Sequence, residues 1–365
     1  VRILLALSGG IDSAVVAHLL HRAGHDLVAV RFTLWTDPLA PALADVLPSK
    51  CCNAQTAARA AYVARQLDIP YHILDLSEAF KADVVDPYLE AHLSGETPNP
   101  CIRCNRTMKF GRLLDLMKQE GCERLATGHY ARTAIETLPS GQEQILLLQA
   151  IDPGKDQSYY LYGLTQAQLA VSLFPLGSLT KHHVRALAEE FQIPYEADTY
   201  RESQDLCFFP EKTPQAFLQR HLAAALSPGP IVRRHDGVVL GQHRGLPLYT
   251  VGQRRGLGVG GLRLPLEVVA KEPASGTLWV EERGCTTVDA VTLREVHWVT
   301  TAPDLTQSFP CEARVRSLST RLPGTVKQVG SSTIFVLQSP QPPQAAGQHL
   351  VLYRGDEVLG GGVMC

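Results

Sequence analysis

The sequence has no excess of positive charge, no apolar run long enough to cross a membrane and no even set of cysteines. Each absence narrows what the chain can be. Its 34 Lys and Arg against 36 Asp and Glu give a formal net charge of −2. Any nucleic-acid surface must therefore come from local clustering and not from overall basicity. Without a stretch of the ~20 apolar residues that a bilayer requires, the chain is expected to be cytoplasmic, with no membrane partner. The apolar residues 2–7 are too few for a secretory leader, and a glycine turn follows them with no small-residue cleavage pattern. Nine cysteines, odd in number and unevenly spread, argue against a disulfide scaffold and for a few reactive or metal-binding thiols among inert ones. Internal repeats and low-complexity tails are also missing. What remains is 365 residues, 45% hydrophobic, enough for two or three domains.

The organising stretch is Ser8-Gly9-Gly10-Ile11-Asp12-Ser13. An apolar run at 2–7 reads as a buried strand, and the spacing of apolar residues over 14–20 reads as a helix that Gly24 can stop. A strand, a glycine turn and a helix start aim backbone N–H groups at one spot, which suits phosphate oxygens. Gly9 and Gly10 allow close backbone approach, and Ser8 and Ser13 supply hydroxyls. Asp12 would repel a bare phosphate, so its presence implies a bridging Mg²⁺. The plainer reading is a strand-to-helix turn with Ser or Asp as the cap. A Walker A loop is excluded, because the Gly-Lys-Ser/Thr ending is missing.

Residues 26–32 and 71–76 read as further strands and 53–67 and 78–93 as helices, with a Pro- and Ala-rich loop over 36–50. This is the βαβ rhythm of a parallel sheet. Cys51 and Cys52 at a helix start are either redox-active or small buried residues. The segment Thr97-Pro98-Asn99-Pro100-Cys101-Ile102-Arg103-Cys104 is expected to stay irregular because of its prolines, with its C-x-x-C just ahead of a helix over 107–120. The helix N-terminus and the nearby Arg103 and Arg106 favour thiolate over thiol. The pair fits a redox couple, half a zinc site or part of an iron–sulfur site. No second C-x-x-C completes a zinc site, but Cys207 stands in a polar setting further on.

A strand ending in Thr127-Gly128-His129 puts Gly128 and His129 at the carboxyl edge of the sheet, where open α/β folds bind ligands; a lone histidine is also often structural. A strand is expected over 145–150. Lys155-Asp156-Gln157-Ser158-Tyr159-Tyr160 combines groups suited to phosphates and to base stacking, or else a capped helix start with an aromatic core stripe. A helix over 182–191 precedes an exit strand, and another helix covers 214–226. From residue 229 the pattern is mostly β. Gly256 to Gly261 matches G-x-G-x-x-G formally, but strand-like residues follow it, so a dinucleotide-binding reading is rejected. Arg314, Arg316 and Arg321 form either a phosphate-contacting strip or a solvated edge.

In order along the chain, A-L-S-G-G-I-D-S, T-P-N-P-C-I-R-C-N-R, A-T-G-H-Y-A-R, G-K-D-Q-S-Y-Y-L-Y, S-Q-D-L-C-F and T-V-G-Q-R-R-G-L-G resemble the bacterial tRNA-specific 2-thiouridylase family (MnmA/TrmU) of the PP-loop ATP pyrophosphatases. The resemblance implies an α/β fold with three parts: a PP-loop (adenine nucleotide alpha hydrolase-like) parallel-sheet domain over 1–205, a small central domain over 206–276 and a C-terminal β-barrel over 277–365. It implies ATP and Mg²⁺ at Ala6, Leu7, Ser8, Gly9, Gly10, Ile11, Asp12 and Ser13, with Phe32 and Gly128 near the adenosine. It implies tRNA contacts at Asn99, Pro100, Cys101, Lys155, Asp156, Gln157, Arg314 and Val315. The implied reaction adenylates the 2-oxygen of wobble uridine U34 in tRNAs for Lys, Glu and Gln. Sulfur from a cysteine desulfurase or a relay protein then replaces that oxygen. In the persulfide scheme Cys207 carries the sulfur and Cys104 resolves it. Many members carry Asp where this chain has Cys101. The three thiols Cys101, Cys104 and Cys207 could instead hold a [4Fe–4S] cluster with one open iron, and both schemes stand at this point. Two rivals remain: a PP-loop amide ligase, and a non-enzymatic ATP-binding redox sensor.

Overall fold

The computed structural model describes residues 1–41, 54–195, 206–260 and 265–365. Seven strands belong to the first part: β1 (Arg2–Ala6), β2 (Asp26–Thr33), β3 (Tyr71–Asp75), β4 (Arg124–Ala126), β5 (Ala131–Thr137), β6 (Glu143–Gln149) and β7 (Ser172–Leu173). Five of them make a sheet in the order β3-β2-β1-β4-β7, parallel throughout. Helices cover both faces, so β1 reads as a continuous apolar run and not as an alternation; Ile3, Leu4 and Leu5 are all fully buried. Ile3 and Leu5 pack with α1 (Ile11–Arg22), α2 (Ala54–Gln66) and the helix Lys181–Glu190. Leu4, Val28 and Val30 face the other way, against Phe110, Leu113 and Met117.

The strand order reverses between β1 and β4, which opens a crevice beyond their carboxyl ends. On the second face, one continuous helical stretch spans 77–93, with a π turn at Lys81–Val85. Another spans 100–119, with a π turn at Asn105–Arg112. Such turns recur at functional sites.

The middle part comprises the helix Gln215–Leu222 and the strands β8 (Gly229–Arg233), β9 (Val239–His243), β10 (Leu266–Glu272) and β11 (Thr277–Glu282), in sheet order β10-β11-β8-β9. Its core is continuous with the first part: Phe217, Ile231, Val268 and Leu278 pack with Phe80, Val84 and Tyr88 of the 77–93 stretch. The sheet therefore runs past residue 276, the boundary expected from the sequence.

The last part is a closed barrel of β12 (Val288–Trp298), β13 (Phe309–Arg314), β14 (Leu322–Val329), β15 (Ser332–Gln341), β16 (His349–Arg354) and β17 (Glu357–Met364). Pairing of β12 with β17 closes it around Val326, Phe335, Leu350 and Leu352. One edge of β17 takes β16. The other edge is divided: Gly360 to Met364 pair with β12, and Glu357 and Val358 pair with β6. The expected strand at 145–150 is thus an antiparallel partner of β5 that extends the barrel sheet and does not enter the parallel sheet.

The C-x-x-C also differs from expectation. It lies inside a helix and not ahead of one. Pro100 occupies the first turn, where its missing N–H costs nothing, and the Asn99 side chain accepts from the Cys101 N–H at 3.2 Å as the N-cap. The loop over 42–50, Cys51 and Cys52 lie outside the described residues; of the exit strand expected over 192–198, residues 192–195 are turn and coil and not strand, and 196–198 lie outside the described residues. Among the described residues no helix is long and apolar enough to cross a membrane.

Two histidines make the fold acid-sensitive. Burial and then the charge of Lys271 lower His92 to about 3, against a hydrogen bond to the Pro247 carbonyl that acts to raise it. Burial and then Arg294 lower His349 to about 4. The unfolded chain takes up these protons near pH 6.5 and the folded chain does not, so stability is full above that pH and falls as pH drops toward 4. With two such groups the loss exceeds ~1 kcal/mol per pH unit. The unfolding midpoint should fall steeply between pH 6.5 and 4.5, and a His92→Gln, His349→Gln double variant should show a shallower slope. Equal slopes would remove these histidines as the cause.

Candidate active site

The turn after β1 places Ser8 to Ser13 in the β1/β4 crevice. Gly9 has φ +84°, and a Cβ there would lie 1.9 Å from the Thr56 carbonyl oxygen of α2. Only glycine fits, for reasons of both conformation and space. Arg59 of α2 donates to the Gly9 carbonyl at 2.6 Å, fixing the turn from outside. Helix α1 has Gly10 as its N-cap and no side-chain cap, so the positive end of its dipole faces the mouth of the loop. Ser8 Oγ and Ser13 Oγ are 3.1 Å apart, and Ser13 donates to the Gly10 carbonyl at 3.0 Å. The two hydroxyls are therefore neighbours in the turn.

The Thr127-Gly128-His129 turn after β4 lies directly against this loop. A Cβ on Gly128 would meet Ser13 N at 3.1 Å and the Asp12 carbonyl carbon at 3.4 Å. His129 takes the structural option. It is buried, its Nδ1 lies 2.8 Å from Thr127 Oγ1, and Phe110 and Phe174 pack around its ring. Burial, with the Lys109 charge second, holds it well below its usual pKa, so it is a neutral spacer.

Asp12 has partners that sequence reasoning missed. Its Oδ1 accepts from Lys181 Nζ at 2.7 Å and from Tyr130 OH at 2.8 Å. The Lys181 side chain is 8% exposed, so a cation is held beside the only acid of the loop. Tyr130 lies in the A-T-G-H-Y-A-R motif and was within reach of the sequence. Lys181 begins a helix 169 residues away, and no local pattern marks it.

The thiols lie on one wall. Cys104 is buried in the cluster of Tyr88, Met108 and Phe208, and Cys207 packs against the same cluster. Phe32, near the end of β2, packs against it too. Cys101 is half-buried. It lies near Tyr88 and Tyr160, whose phenols are pushed up first by burial. Arg103 is exposed and turned to the Asp83 carbonyl, and Arg106 is exposed. Among the described residues no three His, Cys, Asp or Glu side chains gather to hold a metal ion. That bears on a single ion and not on a [4Fe–4S] cluster, whose cysteines bind separate irons. Ser203 to Asp205 of the S-Q-D-L-C-F motif lie outside the described residues.

The Lys-Asp-Gln segment joins the first part to the barrel. Asp156 is 2% exposed and accepts from Gln149, Ala150 N, Ser158 and Arg314 Nη1, the last at 3.0 Å. Gln157 exchanges two bonds with the Tyr130 backbone, at 3.0 and 2.8 Å. Asp156, Arg314 and Val315, for which the resemblance implies tRNA contact, are drawn into the junction in this arrangement. Asp156 and Arg314 satisfy each other, and Val315 is buried. Arg321 is also committed, to Glu312 and Gln149. Within this segment Lys155 and Gln157 are half-buried, and Arg316 is the exposed member of the arginine strip.

Three family models match the chain in sequence: a tRNA methyl transferase HUP domain over 1–211, a tRNA methyl transferase PRC-barrel domain over 215–282 and an aminomethyltransferase beta-barrel domain over 288–364. A tRNA-specific 2-thiouridylase MnmA of Chloroflexus aurantiacus is 42% identical over 361 residues, 99% of this chain and 97% of that protein. The protein of the same name in Symbiobacterium thermophilum is 38% identical over 364 residues, covering 100% and 92%. A solved U34-tRNA thiolase from Methanococcus maripaludis with its [4Fe-4S] cluster is 16% identical at a TM-score of 0.32, over 62% of this chain and 67% of that one. A likeness that weak decides nothing about the site.

Proposed function

This chain belongs to the tRNA-specific 2-thiouridylase family, enzymes that thiolate tRNA by sulfur transfer, and from that premise we propose how its own residues divide the work. The carrying observation is a juxtaposition. Phe32, on the strand beside the Ser8–Ser13 turn, packs against the same cluster that holds Cys104 and borders Cys207. The strand beside the nucleotide loop and a pair of thiols thus share one wall.

A uridine carbonyl is a poor electrophile because oxide is a poor leaving group, so the oxygen must first be activated. The proposed substrate is the wobble uridine of tRNAs for Lys, Glu and Gln. Its 2-oxygen attacks the α-phosphorus of ATP, the α–β bridging bond breaks, pyrophosphate leaves and the N3 proton is lost. The turn from Ala6 to Ser13 cradles the phosphates, with its backbone N–H groups, the α1 dipole and the Ser8 hydroxyl as donors, while Ser13 braces the turn. Phe32 and Gly128 flank the adenosine. Asp12 is the residue that would hold Mg²⁺, which screens phosphate charge when bound. Lys181, already beside Asp12, is placed to follow the negative charge that develops on the departing pyrophosphate.

Sulfur then arrives on Cys207 as a persulfide from a cysteine desulfurase or a relay protein. The terminal sulfur attacks C2 and AMP leaves with the oxygen. The Cys104 thiolate attacks Cys207 Sγ, which breaks the bond to the transferred sulfur and leaves 2-thiouridine and a Cys104–Cys207 disulfide. A dithiol reductant restores both thiols. The tRNA would lie across Asn99 to Cys101, Lys155, Gln157 and Arg316, with Asp156 and Arg314 holding that surface together. The test is pyrophosphate release with and without tRNA, alongside 2-thiouridine by mass spectrometry. Release that needs tRNA, with thiolated product, is expected. Release without tRNA, or binding without release, would replace this reading with the ligase or the sensor.

A further inference from the structure

The segment that leads into the thiol-bearing helix is shaped from outside itself. Pro98 and Pro100 have no N–H, so the Gly95 and Thr97 carbonyls cannot close turns onto the residues three further on. The carbonyls of residues 96–98 go elsewhere. Lys271 Nζ, on β10 of the middle part, donates to the Glu96 carbonyl at 3.2 Å and to its own neighbour, the Tyr249 carbonyl, at 3.0 Å. Gln348 Nε2, at the start of β16 in the barrel part, donates to the Thr97 carbonyl at 2.8 Å and reaches the Pro98 carbonyl at 3.5 Å.

The remaining groups are held in the same way. Thr97 N donates to the Ala346 carbonyl at 2.8 Å. The Glu96 carboxylate accepts two bonds from Arg294 of the barrel, at 2.8 and 2.7 Å. Gly347 has φ +85°, and a Cβ there would lie 2.8 Å from Glu96 Cβ, so the barrel loop is closed down onto the segment. One residue later Asn99 caps the helix Pro100–Cys104, which carries Cys101 in its first turn and Cys104 at its end.

We propose that Lys271 and Gln348 are positioning residues for the sulfur-transfer step: acting from two different domains, they fix the 96–98 backbone and so set where the Cys101–Cys104 turn begins. The proposal rests on the reading that Cys104 takes part in sulfur transfer, and it adds that the thiol turn is complete only when the middle and barrel parts are docked on it. Neither residue touches the transferred sulfur in this assignment. Both act through Asn99 and the helix start.

The experiment uses the full chain and reads each cysteine separately: alkylation by iodoacetamide, resolved per peptide by mass spectrometry, in wild type, Gln348→Ala, Lys271→Met and Lys271→Arg. Cys285 and Cys365 are exposed and Cys122 and Cys311 buried, which gives internal references for surface and core. In Gln348→Ala and Lys271→Met, fraying of the helix start should raise the alkylation rate of Cys101 and Cys104 by about tenfold, the factor one lost hydrogen bond supplies. The four reference thiols should keep their rates. The kcat for thiolation should fall by a similar factor, while the kcat of tRNA-dependent pyrophosphate release holds at saturating tRNA. Lys271→Arg keeps donors for both carbonyls and should restore the wild-type pattern. Unchanged Cys101 and Cys104 rates in both variants overturn the proposal. So does a rise shared by Cys122 and Cys311, because that marks general loosening. If the wild type makes no 2-thiouridine, the sulfur-transfer reading fails by itself, and the alkylation pattern still decides whether the two residues set the turn.

Discussion

Asp12→Asn should reduce tRNA-dependent pyrophosphate release by about a thousandfold, at the upper end of what loss of one preorganised electrostatic group costs. The substitution is nearly isosteric, and the amide oxygen still accepts from Tyr130. What disappears is the negative charge at the mouth of the loop, and with it the proposed Mg²⁺ ligand and the 2.7 Å ion pair to Lys181. Buried pairs are costly to break from one side, but Asp12 keeps 28% side-chain exposure, so the fold should survive. ATP affinity without Mg²⁺ should change little, because the backbone donors of the turn remain. The assay is pyrophosphate release across a Mg²⁺ titration, with circular dichroism as the control. Activity within tenfold of wild type at ordinary Mg²⁺ would remove Asp12 from the chemistry.

Cys207→Ser is expected to separate the two half-reactions. Thiolation should drop below about a thousandth of wild type, because a hydroxyl cannot carry a persulfide. Pyrophosphate release on tRNA should stay within a few-fold, because Cys207 approaches the site from the hydrophobic cluster wall and not from the phosphate loop. Cys104→Ser should give the same split. Cys101→Ala, in contrast, should keep most thiolation, because in this scheme it only flanks the tRNA path. Iron and acid-labile sulfide measured on protein purified without oxygen complete the comparison. Thiolation lost in Cys101→Ala together with stoichiometric iron in the wild type would mean that the three thiols hold a cluster, and the persulfide route would fall.

The nucleotide half of the site was legible in the sequence because its information is local. A buried strand, two glycines and a helix start fall within a dozen residues, and Gly9 and Gly128 had to be glycine for reasons of space that the structure makes explicit. The pairing of Asp12 was not legible, since Tyr130 and Lys181 arrive from 118 and 169 residues away; Tyr130 at least sits in a recognisable motif, while Lys181 carries no local signature. The C-x-x-C helix was placed too late because prolines read as breakers, although proline at a first helical turn is favourable. Asp156 and Arg314 looked like surface recognition groups because an acid and an arginine usually are. Only the tertiary fold shows that they neutralise each other across a domain junction. The strand at 145–150 was found, but its sheet was not: a run of Ile and Leu gives a strand without naming its neighbour.

The divided edge of β17 bears on where this chain can be cut. Glu357 and Val358 bind β6 of the first part while Gly360 to Met364 close the barrel, so one strand serves two modules along the same side. A fragment ending before the barrel would leave β6 with a bare pairing edge, and a barrel fragment would leave part of β17 bare. Unprotected edges of this kind template aggregation. Sequence boundaries suggest three separable pieces, but hydrogen bonding makes the first and third mutual chaperones. Expression of either alone should give insoluble protein, and co-expression of the two halves should recover soluble complex.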